Sequence, residues 1–241
     1  MKEYNTKENK KKPTDISIKE FITQDNSPTL FNEEYQEFYH SKSGAIEEAF
    51  EKYVKPCKIS ELAKNGSIKI LDIGFGLGYN VFAAIETALN ENPNCEIEII
   101  SLEKDQEIIK KIKNLKPNLK YYWIIKKLEY DPKTNSYYYE DKNIFLNIKI
   151  GNAIETIKTI NEKNIKFDAV FLDPFSPNKN PELWSEDFFR EIKRLMKLNS
   201  ILATYSYAKK IRENLKNSGF EVFDGPIVGR RSPSTLAKLK I

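Results

Sequence analysis

The stretch SIKILDIGFGLGYNVFAAIETALNEN, residues 67–92, decides the fold. An apolar run at 68–73 predicts a buried strand, and glycines then occupy every second position from Gly74 to Gly78. From 81 to 89 the apolar residues recur with a helical period. A strand, a glycine loop and a helix in this order are typical of α/β proteins that bind a ligand at the loop.

Further strands and helices alternate on the carboxyl side of this unit. Apolar runs predict strands at 97–103, 144–150, 167–173 and 200–206, and two closing strands at 221–224 and 234–240. Helical patterns lie between them, with Ser185 as an N-cap and Gly219 as a stop signal. We therefore expect an α/β fold with a seven-stranded, mostly parallel sheet, helices on both faces and an antiparallel last strand.

Two segments interrupt this alternation. Residues 1–27 read as a flexible basic leader before a single domain at 28–241. Six of the 13 tyrosines fall within 121–139, on either side of the turn signal at 131–135. This pattern predicts a Tyr-rich hairpin insertion at about 120–142.

Composition excludes several protein classes. Hydrophobic residues are 40% and charged residues 31%, which is unlike a disordered, collagen-like or coiled-coil chain. No uncharged apolar run approaches the roughly 20 residues of a membrane span. The first residues have no apolar signal core, so we expect a cytoplasmic protein without a membrane partner. Cys57, Cys95 and the single His40 cannot form a conventional zinc site, so no metal is expected.

Positive charge is concentrated near the C-terminus. The net charge is +4, but residues 190–241 hold 12 Lys and Arg against 4 Asp and Glu. One interpretation is a face that binds a polyanion, and the other is a solvated surface of Lys-bearing helices.

The glycine spacing favours S-adenosylmethionine over a dinucleotide. The loop reads G-x-G-x-G, and Tyr79 stands where a dinucleotide loop has its third glycine. Glycines allow a close backbone approach to the cofactor, and Asp72 is a candidate acceptor for its ammonium group. A tight turn without a ligand remains the alternative. The candidate cofactor-binding residues of this stretch are Asp72, Gly74, Phe75, Gly76, Gly78 and Asn80.

Polar residues also follow the next predicted strands. Glu103 and Lys104 end the second strand, where a carboxylate can bind ribose hydroxyls. Asn152 and Ala153 follow the third strand, where an Asn amide can contact an adenine edge. Ligands of α/β proteins bind at this edge of the sheet, so these residues join the candidate cofactor site.

Asp173 follows the fourth strand. A carboxylate at the end of an apolar strand is costly without a partner or a task. It could hold a protonated alkylamine beside the cofactor, orient it and help to remove its proton. The alternative is an Asp that caps a proline turn.

The string FDAVFLDPFSPNKNPELW, residues 167–184, resembles the methyltransferase domain of MnmC, the bifunctional tRNA 5-methylaminomethyl-2-thiouridine biosynthesis protein. The resemblance extends to 72–80, 202–206 and 219–220 and, more weakly, to 39–48. It implies a class I methyltransferase fold with S-adenosylmethionine as cofactor. It also implies methyl transfer to the aminomethyl nitrogen of a modified tRNA wobble uridine, with Asp173 as the catalytic or substrate-holding acid and a further cofactor contact.

The chain also departs from that family. Pro174 stands where the family often has Gly, and Asn152 where it often has Asp. No segment corresponds to the FAD-dependent oxidase domain. We therefore expect a stand-alone form without FAD that depends on other wobble-uridine modification enzymes.

Candidate contacts to the anticodon region of tRNA are Pro174, Phe175, Lys179, Arg230 and Arg231. A polar loop explains Lys179 equally well, and an exposed hairpin turn is the other interpretation of the two arginines.

Several side chains near these strings are less decisive. Trp184 reads as a core anchor, with stacking on a base as the alternative, and Tyr205 as either a cleft wall or core. Glu47 or Glu48 could reach the methionine end of the cofactor, but a solvated helix turn is the favoured interpretation of both. Two other functions remain open: a small-molecule N-methyltransferase or polyamine synthase-like enzyme, and a non-enzymatic RNA-binding protein.

Overall fold

The computed structural model describes residues 20–161, 163 and 165–240. Most of the predicted leader lies outside these residues. Strand β1 (Glu20–Ile22) pairs antiparallel with β2 (Pro28–Asn32), which pairs with β3 (Glu37–Phe38) in a three-stranded sheet. The domain boundary predicted at residue 28 is therefore too late, because this pairing places residues 20–27 in the folded domain.

The main sheet has nine strands. In chain order they are β4 (Ser67–Ile73), β5 (Glu96–Glu103), β6 (Glu129–Asp131), β7 (Ser136–Glu140), β8 (Ile144–Ile150), β9 (Phe167–Leu172), β10 (Met196–Thr204), β11 (Phe220–Asp224) and β12 (Thr235–Leu239). Their spatial order is β11-β12-β10-β9-β4-β5-β8-β7-β6. Strands β4, β5, β8, β9 and β10 are parallel, and β12 is antiparallel to both its neighbours, as predicted.

The expected count of seven strands is too low for a local reason. The Tyr-rich segment forms the hairpin β6–β7, and β7 pairs antiparallel with β8. The hairpin therefore extends the sheet by two strands.

Helices cover both faces of the sheet. They are α1 (Ala45–Glu48), continued by a π-helical stretch (Ala49–Val54), α2 (Ile59–Ala63), α3 (Tyr79–Glu91), α4 (Gln106–Lys111), α5 (Ala153–Thr156), α6 (Glu186–Leu195) and α7 (Lys209–Asn217). Short 3₁₀ helices span Ile112–Asn114, Tyr122–Lys127, Ile157–Thr159 and Pro181–Trp184. One apolar cluster packs helices α1, α2, α3 and α4 against one face of the sheet. A second cluster packs α5, α6 and α7 against the other face.

The strand alternation explains the two clusters. Ile70 belongs to the first cluster and Leu71 to the second, because successive side chains of a strand point to opposite faces. Helix ends follow the sequence signals: the Ser185 hydroxyl accepts from Phe188 N at 3.2 Å, and Gly219 adopts φ +89° after α7. Across the described ranges, none of the helices has the length and apolar content of a membrane crossing.

The carboxyl ends of β4, β5, β8 and β9 meet at one edge of the sheet. Backbone hydrogen bonds tie the segments that leave them: Gly74 N donates to Leu102 O, Gly151 N to Glu103 O and Asp173 N to Ile73 O. This edge brings together the polar residues that follow four separate strands.

Candidate active site

A cleft of about 630 Å³ opens at this edge. Residues that follow the strands line one side of it, and the other side is lined by residues between 32 and 42, which lie in the small N-terminal sheet and directly after it. The strand-end residues are Ile73, Gly74, Gly76, Asn80, Leu102, Glu103, Lys104, Asp105, Gly151, Asn152, Ala153, Asp173, Pro174, Phe175 and Ser176.

The glycine loop packs closely against the end of β9. Gly74 has φ +89°, and a Cβ there would lie 2.7 Å from the Asp173 carbonyl oxygen. Gly76 has φ +52°, and its N–H donates to Glu103 Oε2 at 2.8 Å. Glycine is required at both positions because side chains rarely adopt this backbone conformation and because the neighbouring chain is close.

Glu103 lies across the loop at the end of β5. Its Oε1 accepts from Asp105 N at 2.8 Å, so backbone N–H groups hold both carboxylate oxygens. Burial raises the pKa of Glu103 above its ordinary value. The carboxylate still lines the cleft, and its remaining lone pairs can accept hydrogen bonds from a ligand hydroxyl.

Two side chains hold Asp173 in the cleft. The Tyr53 hydroxyl donates to Oδ1 at 2.5 Å, and Asn80 Nδ2 donates to Oδ2 at 2.8 Å. Burial raises the pKa of Asp173 to about 7, although these two hydrogen bonds act to lower it. Asp173 is therefore oriented, and its pKa lies close to neutral pH.

Aromatic rings form the wall beside Asp173. Tyr35 stacks on Phe175 with ring centroids 4.5 Å apart, and Tyr39 lies 5.1 Å from the same ring. Lys104 Nζ donates to the Tyr35 hydroxyl at 2.8 Å. Glu37 accepts hydrogen bonds from the backbone N–H and hydroxyl of Ser176. The small N-terminal sheet is thus attached to both β5 and the loop after β9.

Two further groups line the cleft. Glu48 and Lys52 form a buried ion pair. His40 stacks on Tyr79 with ring centroids 4.9 Å apart, and burial lowers its pKa to about 4. The imidazole is therefore neutral at neutral pH and is part of the wall.

Residues 114–240, just over half of the chain, match the family model described as S-adenosyl-L-methionine-dependent methyltransferase. The chain belongs to this family. The matched segment includes Asp173 and the strand ends after β8 and β9, whereas the glycine loop precedes it. The cofactor expected from the sequence is thereby confirmed at the level of the family.

Relatives of this methyltransferase include an uncharacterized protein of Methanocaldococcus jannaschii, 35% identical over 98% of the chain and 65% of the relative. The bifunctional protein MnmC of Campylobacter hominis, a tRNA 5-methylaminomethyl-2-thiouridine biosynthesis protein, is 32% identical over 82% of the chain and 29% of its own length. The chain thus spans about two thirds and about three tenths of these curated relatives. The predicted resemblance to the methyltransferase part of MnmC is confirmed.

Solved structures agree with this assignment. The crystal structure of MnmC2 from Aquifex aeolicus superposes on the methyltransferase with a TM-score of 0.80 and 36% identity, over 95% of this chain and 72% of the other. A spermidine synthase from Thermotoga maritima has a TM-score of 0.55 at 13% identity, over 92% and 71% of the two chains. The second likeness shows a shared fold. The predicted α/β methyltransferase fold is confirmed.

The structure brings most of the sequence-predicted site residues of the methyltransferase together. Those that line the cleft are Gly74, Gly76, Asn80, Glu103, Lys104, Asn152, Ala153, Asp173, Pro174, Phe175 and Arg230. Asn152 also caps α5, since its side-chain oxygen accepts from Ile154 N at 3.0 Å.

Five predicted residues do not line the cleft. Asp72 is buried beneath it and accepts a hydrogen bond from the Ser101 hydroxyl, because its side chain lies within β4 rather than beyond its end. Phe75 is in the core, where it contacts Phe82. Gly78 has φ +79° at the start of α3, and a Cβ at this position would lie 2.7 Å from the Phe75 ring. The structure thus gives these three residues roles in packing and in the loop backbone.

The other two residues outside the cleft, Lys179 and Arg231, are exposed. The structure also gives the positions of Trp184 and Tyr205, whose roles were less certain from the sequence. Trp184 is buried, and its Nε1 donates to Phe175 O at 3.1 Å, which confirms its assignment as a core anchor. Tyr205 lines the cleft, and its hydroxyl donates to Pro174 O at 3.1 Å.

Sequence reasoning missed Tyr53, Lys52, Tyr35, Tyr39 and Glu37, which all line the cleft. Tyr53 belongs to an apolar helical pattern, and an aromatic residue there reads as core. The other four carry no local motif. Only the long-range packing of residues 20–54 onto the strand ends reveals them.

Proposed function

We propose that this methyltransferase transfers a methyl group from S-adenosylmethionine to the aminomethyl nitrogen of 5-aminomethyl(-2-thio)uridine at the tRNA wobble position, giving 5-methylaminomethyl(-2-thio)uridine. The observation that carries the proposal is Asp173, held by Tyr53 and Asn80 in the cleft beside the glycine loop. The similarity to MnmC supports the choice of substrate.

The cleft residues fit the cofactor. Glu103 offers a carboxylate for ribose hydroxyls, as expected for an acidic residue after this strand. Leu102 and Ala153 offer apolar contacts for the adenine, and Asn152 lies beside them in the lining. Gly74 and Gly76 leave the loop backbone accessible. When bound, S-adenosylmethionine supplies a methyl group that is already activated by its sulfonium charge.

Asp173 prepares the acceptor nitrogen. An alkylamine is mostly protonated at neutral pH and then has no lone pair to react. The carboxylate attracts the ammonium ion and orients it through a charge-assisted hydrogen bond. A pKa of about 7 lets Asp173 accept the proton from nitrogen near neutral pH. Because the methyl donor is already activated, placing the free lone pair accounts for most of the catalysis.

The aromatic wall suits a nucleobase. Phe175 and Tyr205 line the cleft beside Asp173, and Tyr35, which stacks on Phe175, lines it as well. Aromatic faces of this kind stack on unpaired bases. A wobble base, which lies in a single-stranded loop, can enter such a cleft.

Cations at the cleft and beyond it provide the contact to tRNA phosphates. Arg230 lines the cleft, with its guanidinium 5.9 Å from the Tyr205 ring. Lys104 is exposed at the cleft, and Arg231 and Lys179 are exposed outside it. These side chains attract the backbone without reading its sequence. With a tRNA substrate, we also propose a cytoplasmic location for the protein.

The test is nucleoside mass spectrometry. Unfractionated tRNA that carries 5-aminomethyl-2-thiouridine is incubated with the protein and deuterated-methyl S-adenosylmethionine. We expect a labelled 5-methylaminomethyl-2-thiouridine peak with the wild type and almost none with Asp173→Asn. A matched reaction with tRNA that carries the carboxymethylaminomethyl form shows whether the primary amine is required.

Two results would contradict the proposal. Label on a different nucleoside would retain the methyltransferase and reject its assigned acceptor. Label transferred to free alkylamines but not to tRNA would favour the small-molecule alternative.

A further inference from the structure

A buried ion pair lines the same cleft as the glycine loop and Asp173. The side chains of Lys52 and Glu48 are 4% and 12% exposed. Glu48 Oε1 accepts from Lys52 and from the Ser41 hydroxyl, the latter at 2.8 Å, and Oε2 accepts from Ser41 N at 3.3 Å. Glu48 is therefore well supplied with donors.

Lys52 has fewer hydrogen-bond partners than its group can use. An ammonium group has three N–H donors. Among the residues that the structure describes, Glu48 is the only hydrogen-bond acceptor for Lys52. Buried donors without acceptors are costly, more so when the group is charged. Since Lys52 lines the cleft, a ligand in the cleft can provide the missing acceptor.

The location of Lys52 selects the kind of acceptor. Lys42, Lys104 and Arg230 also line the cleft, but all three are exposed. Lys52 is the one buried cation among the described lining residues. A tRNA phosphate, attached to a bulky backbone, meets exposed cations first, whereas a small anionic group inside the cleft can reach a buried one.

We propose that Lys52 binds the α-carboxylate of the amino-acid end of S-adenosylmethionine, and that Glu48 holds the Lys52 ammonium in place. This inference rests on the cofactor assignment in the proposed function and not on the tRNA substrate. An ammonium group forms charge-assisted hydrogen bonds with a carboxylate. Lys52 is followed directly by Tyr53, which donates to Asp173, so consecutive residues of one helical stretch face the cofactor and the carboxylate that orients the acceptor.

The experiment compares three ligands by calorimetry: S-adenosylhomocysteine, its decarboxylated form and 5′-methylthioadenosine, which lacks the amino-acid end. We expect the wild type to bind the first about 10- to 100-fold more tightly than the second, the range of one hydrogen bond between charged groups. In Lys52→Gln this preference is lost, while the affinity for 5′-methylthioadenosine is unchanged. Lys52→Arg retains part of the preference.

The neighbouring pair Glu51 and Lys55 provides a matched control. It has the same four-residue spacing on the same helical stretch, but its side chains are 34% and 64% exposed, and neither residue lines the cleft. Lys55→Gln therefore keeps the full carboxylate preference. Since Lys52→Gln leaves the buried Glu48 unpaired and could unfold the protein, the double variant Glu48→Gln with Lys52→Met removes both charges. It also loses the preference.

Several outcomes would overturn the inference. One is a Lys52→Gln protein that keeps the preference for the ligand with the carboxylate, or that binds all three ligands more weakly by the same factor. Another is a variant that binds S-adenosylhomocysteine normally but has a raised KM for tRNA, which would assign Lys52 to a phosphate. If the wild type binds none of the ligands, the cofactor assignment fails as well. If the preference depends on Lys52 but tRNA is not methylated, only the proposed substrate fails.

Discussion

The carboxyl ends of the neighbouring strands β4 and β9 carry the same acidic group in different surroundings. Asp72 and Asp173 are both aspartates, and burial raises the pKa of each to about 7. Asp72 accepts a hydrogen bond from Ser101, and its Oδ1 has no hydrogen-bond partner among the described residues. Asp173 has a donor for each oxygen and lines the cleft.

The register of the two strands explains the difference. Asp72 pairs with Phe171 and is followed by Ile73, which is still in the strand, whereas Asp173 is the first residue after β9. The pKa alone would rank the two carboxyl groups equally. Access to the cleft and the pair of oriented donors distinguish a candidate catalytic group from a buried polar one.

The largest expected effect is on turnover. Asp173→Asn keeps the shape but removes the proton acceptor, so we expect turnover to fall by about 10² or more while S-adenosylhomocysteine affinity stays close to that of the wild type. Asp72→Asn should stay close to the wild-type rate. Single-turnover methylation of aminomethyl-bearing tRNA measures both. Equal losses in the two variants would remove the distinction between the two strand ends.

The donors to the two carboxylates provide the next comparison. The Tyr53 hydrogen bond lowers the pKa of Asp173, so Tyr53→Phe should raise that pKa and move the acidic limb of kcat/KM to higher pH. At pH 7 we expect about a tenfold lower rate, the size of one hydrogen bond to a charged group. Ser101→Ala should leave the pH profile in place. If the two profiles coincide, Tyr53 acts only in packing.

The pH dependence of the free energy of unfolding should reveal the raised pKa that Asp72 shares with Asp173. The pKa of Asp72 is raised from an ordinary 3.8 to about 7, so the folded state retains a proton that the unfolded state releases. The free energy of unfolding therefore falls as the pH rises from about 4 to about 7. Asp72→Asn removes this contribution, so its stability relative to the wild type should increase with pH by up to about 1.4 kcal/mol per unit. Urea unfolding of the cofactor-free proteins at several pH values measures the difference, and parallel curves would contradict it.

The smallest effect concerns the mouth of the cleft. Arg230 lines the cleft beside Tyr205, and Arg231 is exposed outside it. If both contact phosphates, Arg230→Gln and Arg231→Gln should each raise the KM for tRNA modestly and flatten its salt dependence by about one unit of slope per contact. Cofactor affinity should not change. An unaltered slope in the double variant would assign both arginines to the solvated surface.

Local patterns in the sequence determined the elements and the location of the site. Apolar runs of strand length, helical periods, the cap at Ser185 and the stop at Gly219 all depend on residues close in the chain. The glycine loop, Glu103 and Asp173 could be placed because parallel strands present their carboxyl ends at one edge. The same rule does not place Asp72, which lies within β4 rather than after it. A difference of one residue in register decides whether a side chain at a strand end reaches the cleft.

Only the tertiary structure decided how the site is completed. Tyr53 and Asp173 are 120 residues apart, and Asn80 and Asp173 are 93 apart. No period or motif links such distant residues, since their contact follows from helices packing across the sheet. The same holds for the small N-terminal sheet over the cleft, for the two strands that the Tyr-rich hairpin adds to β8, and for the burial of Lys52. Short-range physics determined what each segment becomes, and long-range packing determined which side chains face the same cavity.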